Sequence, residues 1–255
     1  MPVSLETAAT MGLLRNPLRR AVKLLRLLRH PAFRRGLRFG VAASLENFVA
    51  MRDLTLGSVI DAGANVGQFS LLMRGLHPTI EIHAFEPFPE AVAVFKRLFA
   101  ADPAVKLYPV ALGAAEGRAS LHISRRSDNS SLLPISNNQA AFAPGTEEIG
   151  TVAVAVQRLD ALLADAALLR PCLLKIDTQG GELEVLKGAE HLLPRIDYIY
   201  VELSFTEFYA GQPTADQILT HLHAQAYRLV GIGGIARDRR GAIQQADLLF
   251  QRSAP

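Results

Sequence analysis

Four short stretches hold the residues whose types and spacing could do chemistry. In VIDAGANVGQFS, residues 59–70, an apolar run leads into Asp61, then a glycine-bearing turn, then a helical pattern. Gly63 and Gly67 permit a tight turn and close approach of backbone to a ligand. Ala64 and Asn65 lie between them. In HAFEPFPEA, residues 83–91, Glu86 closes the next apolar run, nineteen residues after Gly67, and Pro87 and Phe88 follow it. In LLKIDTQGGELEVLKGAE, residues 173–190, a buried strand would carry Lys175 and Asp177 on one face and Ile176 on the other. In YVELSFTEFYAG, residues 200–211, Glu202 stands near the end of a further apolar strand.

The turn after Asp61 invites comparison with a dinucleotide fingerprint, which needs a third glycine five residues after the first. Here the glycines are four apart and Gln68 stands where the third would be. A pyrophosphate cradle is therefore poorly supported, although a nicotinamide-dependent oxidoreductase stays an alternative on the same fold. A carboxylate just before the first glycine suits a cationic ligand better. S-adenosylmethionine carries an ammonium and a sulfonium that Asp61 can attract. Glu86 can accept hydrogen bonds from ribose hydroxyls, the role of the acid after the second strand in doubly wound sheets. Phe88 can lie along the adenine. Asp177 is then the first candidate for a base at an acceptor oxygen. Glu202 is the second, since an unpaired carboxylate in an apolar strand has a raised pKa. Lys175 completes the catalytic set. Each residue also has a bland reading: Asp61 as a helix cap, Glu86-Pro87 as a turn opening, Lys175 and Asp177 as a structural ion pair. No histidine cluster or D-x-D spacing calls for a metal.

These residues need a sheet to hold them. Short apolar runs at 58–61, 80–85, 105–110, 172–176, 198–203, 227–231 and 248–251 read as strands. Helices are expected over 67–75, 89–100, 160–168, 181–193 and 214–224. The alternation predicts a doubly wound, mostly parallel α/β sheet. The link from Arg237 to Gly241 is too short for a helical crossover, so the last strand should run antiparallel. Residues 124–150, rich in Ser, Asn and Gly, read either as a lid or substrate loop or as plain disorder. Acceptor contacts are expected there and in 204–214. The lone cysteine, Cys172, excludes a disulfide framework and reads as core.

Charge divides the chain. Residues 1–44 carry nine Lys/Arg and one acid, whereas the remainder carries eighteen bases and twenty-three acids. The expected partition is a basic helical arm, 1–44, and one catalytic domain, 45–255. The mildly acidic body argues against a nucleic-acid cleft. Asn16-Pro17 marks a helix start, and Leu18, Val22, Leu25 and Leu28 recur at helical spacing among arginines. Such a helix commonly packs its leucines on a core. Its other use is peripheral docking on an anionic membrane surface or an acidic partner. No run is long and apolar enough to predict a transmembrane helix, and arginines interrupt any signal-peptide core. The expected location is the cytoplasm, with membrane docking placing the protein at the inner face.

Together with VALG (110–113), DNSSLL (128–133) and RLDALL (158–163), these stretches resemble the FkbM family of methyltransferases over about residues 57–252. The resemblance implies a class I methyltransferase (Rossmann-like) fold, S-adenosylmethionine as donor and an acceptor hydroxyl on a sugar, glycan or secondary metabolite. By position, Asp61, Gly63, Asn65, Gly67 and Glu86 match the cofactor motifs, with Ala111 and Leu112 of VALG beside them. Asp177 and Glu182 match the fourth-strand motif. Thr178 and Gly181 stand where the family commonly has Val and Ala. The segment 30–46 is similar to one that precedes the domain in some bacterial members. A methyltransferase-like module without catalysis, tethered through its arm, is the remaining alternative.

Overall fold

The computed structural model describes residues 17–253, with side chains from residue 22 onward. Two helices, α1 (Pro17–Arg29) and α2 (Pro31–Arg38), open the chain, and a short α3 (Phe48–Met51) follows. The parallel core is then laid down as β1 (Ser58–Ala62), α4 (Gln68–Leu76), β2 (Glu81–Phe85), α5 (Pro89–Phe99) and β3 (Val105–Tyr108). A small excursion contains β4 (Ala111–Leu112), β5 (Gly117–Ser124), α6 (Asn137–Phe142), β6 (Glu148–Gln157) and α7 (Leu159–Leu162). The chain re-enters the main sheet through β7 (Cys172–Ile176), α8 (Glu182–Lys187), β8 (Tyr198–Ser204), α9 (Ala215–Ala224), β9 (Tyr227–Arg237) and β10 (Ile243–Arg252).

The main sheet has seven strands in the order β3-β2-β1-β7-β8-β10-β9. The first five are parallel, and β10 runs antiparallel between β8 and β9. This is the doubly wound, mostly parallel class expected, with the antiparallel last strand in place. Every residue of β1 and β7 is buried, as befits central strands covered by helices on both faces. One core cluster fills each face. The chain winds outward from β1 to β3 and returns on the other side of β1 with β7. Strand order therefore reverses at the β1/β7 boundary, and the crevice beyond that point is where such sheets bind ligands.

Several elements differ from expectation. A second, three-stranded sheet, β4-β6-β5, was not anticipated. Its longest strand carries the alternating run TVAVAVQ, a half-buried strand pattern that follows directly on the loop-like stretch 124–150. The helices expected over 160–168 and 181–193 shrink to α7 and α8, because Leu163 and Gly188 end them early. The strands expected at 227–231 and 248–251 extend into a long hairpin closed at 238–241. Residues 124–150 are ordered, with a 3-10 turn at 127–129, α6 and the start of β6.

The arm joins the core through α2. Phe33 is 4% exposed and packs on Gly75 of α4. Gly36 lies so close to α4 that an added Cβ would meet Leu71 at 2.2 Å and the Val41 carbonyl oxygen at 2.6 Å. The second contact is backbone and cannot swing aside. We expect Gly36→Ala to cost about 1–3 kcal/mol by overpacking, read as a lower urea midpoint with an unchanged slope.

Candidate active site

The crevice at the β1/β7 boundary has a volume of about 320 Å³. Its floor is the turn after β1. Asn65 and both flanking glycines, Gly63 and Gly67, adopt positive φ, a region Asn tolerates better than most residues. Gly63 is required on a second count: a Cβ there would stand 1.9 Å from the Asp177 carbonyl oxygen. The turn is tied to β2 because the amides of Gly63 and Ala64 both donate to the Phe85 carbonyl at 3.0 Å.

Glu86 sits at the crevice wall, 7% exposed. Its carboxylate accepts from the amides of Asn65 (2.7 Å) and Phe88 (2.8 Å). Burial pushes its pKa up to about 7 against the opposing pull of these two amides and of Lys175. Gly63, Ala64, Asn65, Pro87, Ala111 and Leu112 line the same crevice. Three residues expected at the cofactor do not line it. Gly67 packs beneath Phe95 and Phe99. Phe88 packs instead against the small sheet, near Ala111, Leu121 and Val154. Asp61 is wholly buried below the floor and accepts from Ser70 Oγ at 2.7 Å.

Asp61 and Lys175 are cross-strand partners on β1 and β7. The Lys175 ammonium stands 3.3 Å from Asp61 Oδ1 and 3.5 Å from Asp177 Oδ2, and donates to the Gly63 carbonyl at 3.1 Å. The Phe69 ring lies 5.7 Å away. Burial alone would lower its pKa, but Asp177 and Asp61 outweigh that and raise it, so Lys175 stays charged. Asp61 thus meets the crevice only through its pairing with Lys175, which lines it.

Asp177 and Glu202 both face the crevice, from the ends of the neighbouring strands β7 and β8. Gln179, held at φ 56, joins them. Its Nε2 donates to Asp177 Oδ1 at 2.6 Å and to Glu202 Oε2 at 3.2 Å. Gln245 of β10 donates to the same Glu202 oxygen at 3.0 Å. Burial, and then the nearby charges of Asp177, Asp247 and Glu182, hold the Glu202 pKa well above the usual carboxylate range. Asp247, register partner of Glu202, is pushed up to about 7 by burial and by Asp177. Glu182 folds back to cap the 178–180 turn, accepting from the amides of Thr178 and Gly180 at 3.1 Å. Among the described residues, no group of three or more His, Cys, Asp or Glu is placed to hold a metal ion.

The turn also holds the segment 127–133. Ser131 Oγ donates to the Gln179 carbonyl at 2.6 Å, and the Tyr209 hydroxyl donates to Gln179 Oε1 at 2.6 Å. Asp128 to Leu132 line the crevice, so part of the expected lid segment is indeed there. Asn138, Ala141 and Phe142, further along it, meet Thr206 and Phe208 around a separate cavity of about 480 Å³ beside Arg239 and Arg240. Sequence reading missed Gln179, Tyr209, Asp247 and Gln245. The signal for Gln179 was its place inside the K-I-D-T-Q-G-G-E run, and for Asp247 a lone acid in an apolar strand.

The residues from 61 to 229 match the family model described as the methyltransferase FkbM domain. The chain belongs to the FkbM methyltransferase family. The matched residues run from the end of β1 to the start of β9 and include most of the crevice lining; Ser44, Glu46, Asn47 and Gln245 lie outside them. Among curated relatives, the chain is 28% identical over 160 residues to 2-O-methyltransferase NoeI of Sinorhizobium fredii, covering 60% of this chain and 66% of that protein. It is 36% identical over 155 residues to methyltransferase sdnD of Sordaria araneosa, covering 52% of this chain and 60% of the relative. It is 28% identical over 182 residues to 31-O-demethyl-FK506 methyltransferase FkbM of Streptomyces tacrolimicus, covering 62% and 69%. The chain thus spans somewhat under two thirds of the first two relatives. Fold and family are those of the S-adenosylmethionine-dependent methyltransferases.

The buried ion pair can be tested directly. We expect Lys175→Met to cost about 3–5 kcal/mol, because it strands the Asp61 charge. A double variant, Lys175→Met with Asp61→Leu, should cost clearly less than the sum of the two single changes, measured by urea unfolding in a double-mutant cycle.

Proposed function

We propose that this protein transfers the methyl group of S-adenosylmethionine to a hydroxyl of a small-molecule acceptor, a sugar, glycan or secondary metabolite. The observation that carries the reading is that Glu86 and Asp177 open on one crevice from opposite sides of β1, with a close-approach glycine turn between them. The names of the curated relatives, two of them O-methyltransferases, support the hydroxyl as acceptor. A donor made inside the cell fits a cytoplasmic site of action.

The residues present suit the donor. Glu86 would accept from the ribose hydroxyls with the lone pairs its two amide partners leave free. The 63–65 turn offers backbone where a Cβ would obstruct, and Ala111 and Leu112 offer an apolar wall for the base. When bound, S-adenosylmethionine supplies an already activated methyl group on a sulfonium.

What remains for the protein is alignment of the acceptor and care of its proton. Good alignment is worth up to about 7–11 kcal/mol of barrier. Asp177 is the first choice to take the hydroxyl proton. It faces the crevice while Lys175 and Gln179 fix its two oxygens, one each. Glu202 is the second choice. Burial holds its pKa above the usual carboxylate range, and its Oε2 already accepts from both Gln179 and Gln245, so it serves better as an anchor for those two amides than as the base.

Two measurements test these roles. Only ionised Glu86 accepts from two hydroxyls, and its pKa is about 7. Affinity for S-adenosylhomocysteine should therefore weaken roughly tenfold as pH falls from about 8 to about 6. In Glu86→Gln, calorimetry should find weaker binding with a flat pH profile. Asp177→Asn should keep cofactor affinity within about threefold while turnover with a panel of hydroxyl acceptors drops by roughly 10²–10⁴. Normal turnover in that variant would remove Asp177 from the role of base.

A further inference from the structure

The helix α1 is attached to the body by little of its own surface. Of its side chains from Val22 to Arg29, Leu27 alone is buried. Val22, Leu24, Leu25 and Leu28 are 42%, 47%, 58% and 44% exposed. At 100° per residue, Leu24, Leu28 and Leu25 lie roughly 60°, 100° and 160° around the helix from Leu27, so one contiguous apolar arc turns from the core out to solvent. They are not a seam left over from packing, because α2 supplies the anchor through Phe33 and Gly36. The adjacent end of α2 adds Phe39, also exposed.

Cations surround this apolar arc. Arg26, Arg29, Arg34, Arg35 and Arg38 are exposed, and none forms an ion pair among the described residues. Lys23 alone is paired, with Glu46 at 3.0 Å. From Thr7 to Leu45 the sequence has no acid at all. An apolar stripe rimmed by unpaired arginines is complementary to a surface with negative headgroups above an apolar interior. No helix among the described residues is long and apolar enough to cross a membrane, so such a helix would lie on the surface.

We infer that α1 and the end of α2 form an interfacial docking surface for an anionic lipid bilayer, with Leu24, Leu25 and Leu28 entering the headgroup boundary and the flanking arginines contacting lipid phosphates. The inference stands apart from the methyl-transfer reading, since none of these residues lines the crevice. Its neighbourhood is nevertheless telling. The segment that follows α2 contributes Ser44, Glu46 and Asn47 to the crevice wall, and Glu46 is itself the partner of Lys23 on α1.

Co-sedimentation of the full chain with vesicles tests this. One set is phosphatidylcholine alone and the other contains one part in three of phosphatidylglycerol. Partition should require the anionic lipid and should fall with added salt. Each cation near such a surface strengthens partition roughly fivefold, so Arg26→Glu/Arg29→Glu should weaken it more than about twentyfold. Leu24→Gln/Leu25→Gln/Leu28→Gln should weaken it at least about tenfold. S-adenosylhomocysteine affinity and the circular dichroism melt, both unchanged in the two variants, would show that the body is intact. The inference fails if the chain stays in the supernatant with anionic vesicles, or if the glutamine variant partitions like the parent. It fails equally if analytical ultracentrifugation finds a dimer that the same substitutions dissociate, because the leucines would then cover a second copy instead.

Discussion

Everything at the crevice rests on one buried ammonium. Lys175 and Asp61 face each other across β1 and β7, both nearly or wholly out of solvent. Isolated, either charge would be expensive to bury, and even a well-made buried pair adds little to stability. Its value here is positional. The same ammonium reaches the Gly63 carbonyl and the Asp177 carboxylate. It therefore fixes the glycine turn of one strand against the carboxyl end of the other, at the place where the winding of the sheet reverses. A hydrophobic replacement of equal volume could fill the space but could not hold the oxygens of Asp61, Gly63 and Asp177 together.

The second constraint is Gln179. Its left-handed backbone places a single amide between two carboxylates and a buried tyrosine hydroxyl. The nitrogen donates to both acids and the oxygen accepts from Tyr209, so all of the polar end is used. Through Ser131 and Asn129 the same network reaches the 127–133 segment. The turn that carries Asp177 and the strap across the crevice are thus one hydrogen-bonded unit. Movement of the strap would be felt at the carboxylate.

How much of this could be read in advance follows from what each residue's neighbours are. That Glu86 and Asp177 lie at the crevice could be read because strand, turn and helix signals lie side by side in the chain. The turn after β1 needs only local rules, and its glycines declared it. Phe88 was misplaced since its partner, the β4-β6-β5 sheet, is assembled from residues up to seventy positions away and was itself unseen. Asp61 was taken to touch the ligand because a sequence shows that a carboxylate precedes a glycine but not that a lysine on another strand claims it. Asp247 shows in the sequence only as a lone acid in an apolar strand, and Gln245 not at all: both reach Glu202 only because β10 inserts antiparallel beside β8. Local patterns named the elements, and long-range pairing decided which side chains meet.

That insertion has a consequence for biosynthesis. A nascent chain emerging from the ribosome can pair β1, β2, β3, β7 and β8 in the order in which they appear. Until β10 arrives, β8 is an open edge, with Glu202 lacking Gln245 and Asp247 lying still further back along the exit tunnel. Vectorial synthesis therefore completes the acidic wall last, and the intermediate that precedes it exposes an apolar strand. A stall in translation after β8 would leave a species with most of the β1/β7 crevice formed and an unpaired strand available to whichever chaperone, or whichever second nascent chain, reaches it first.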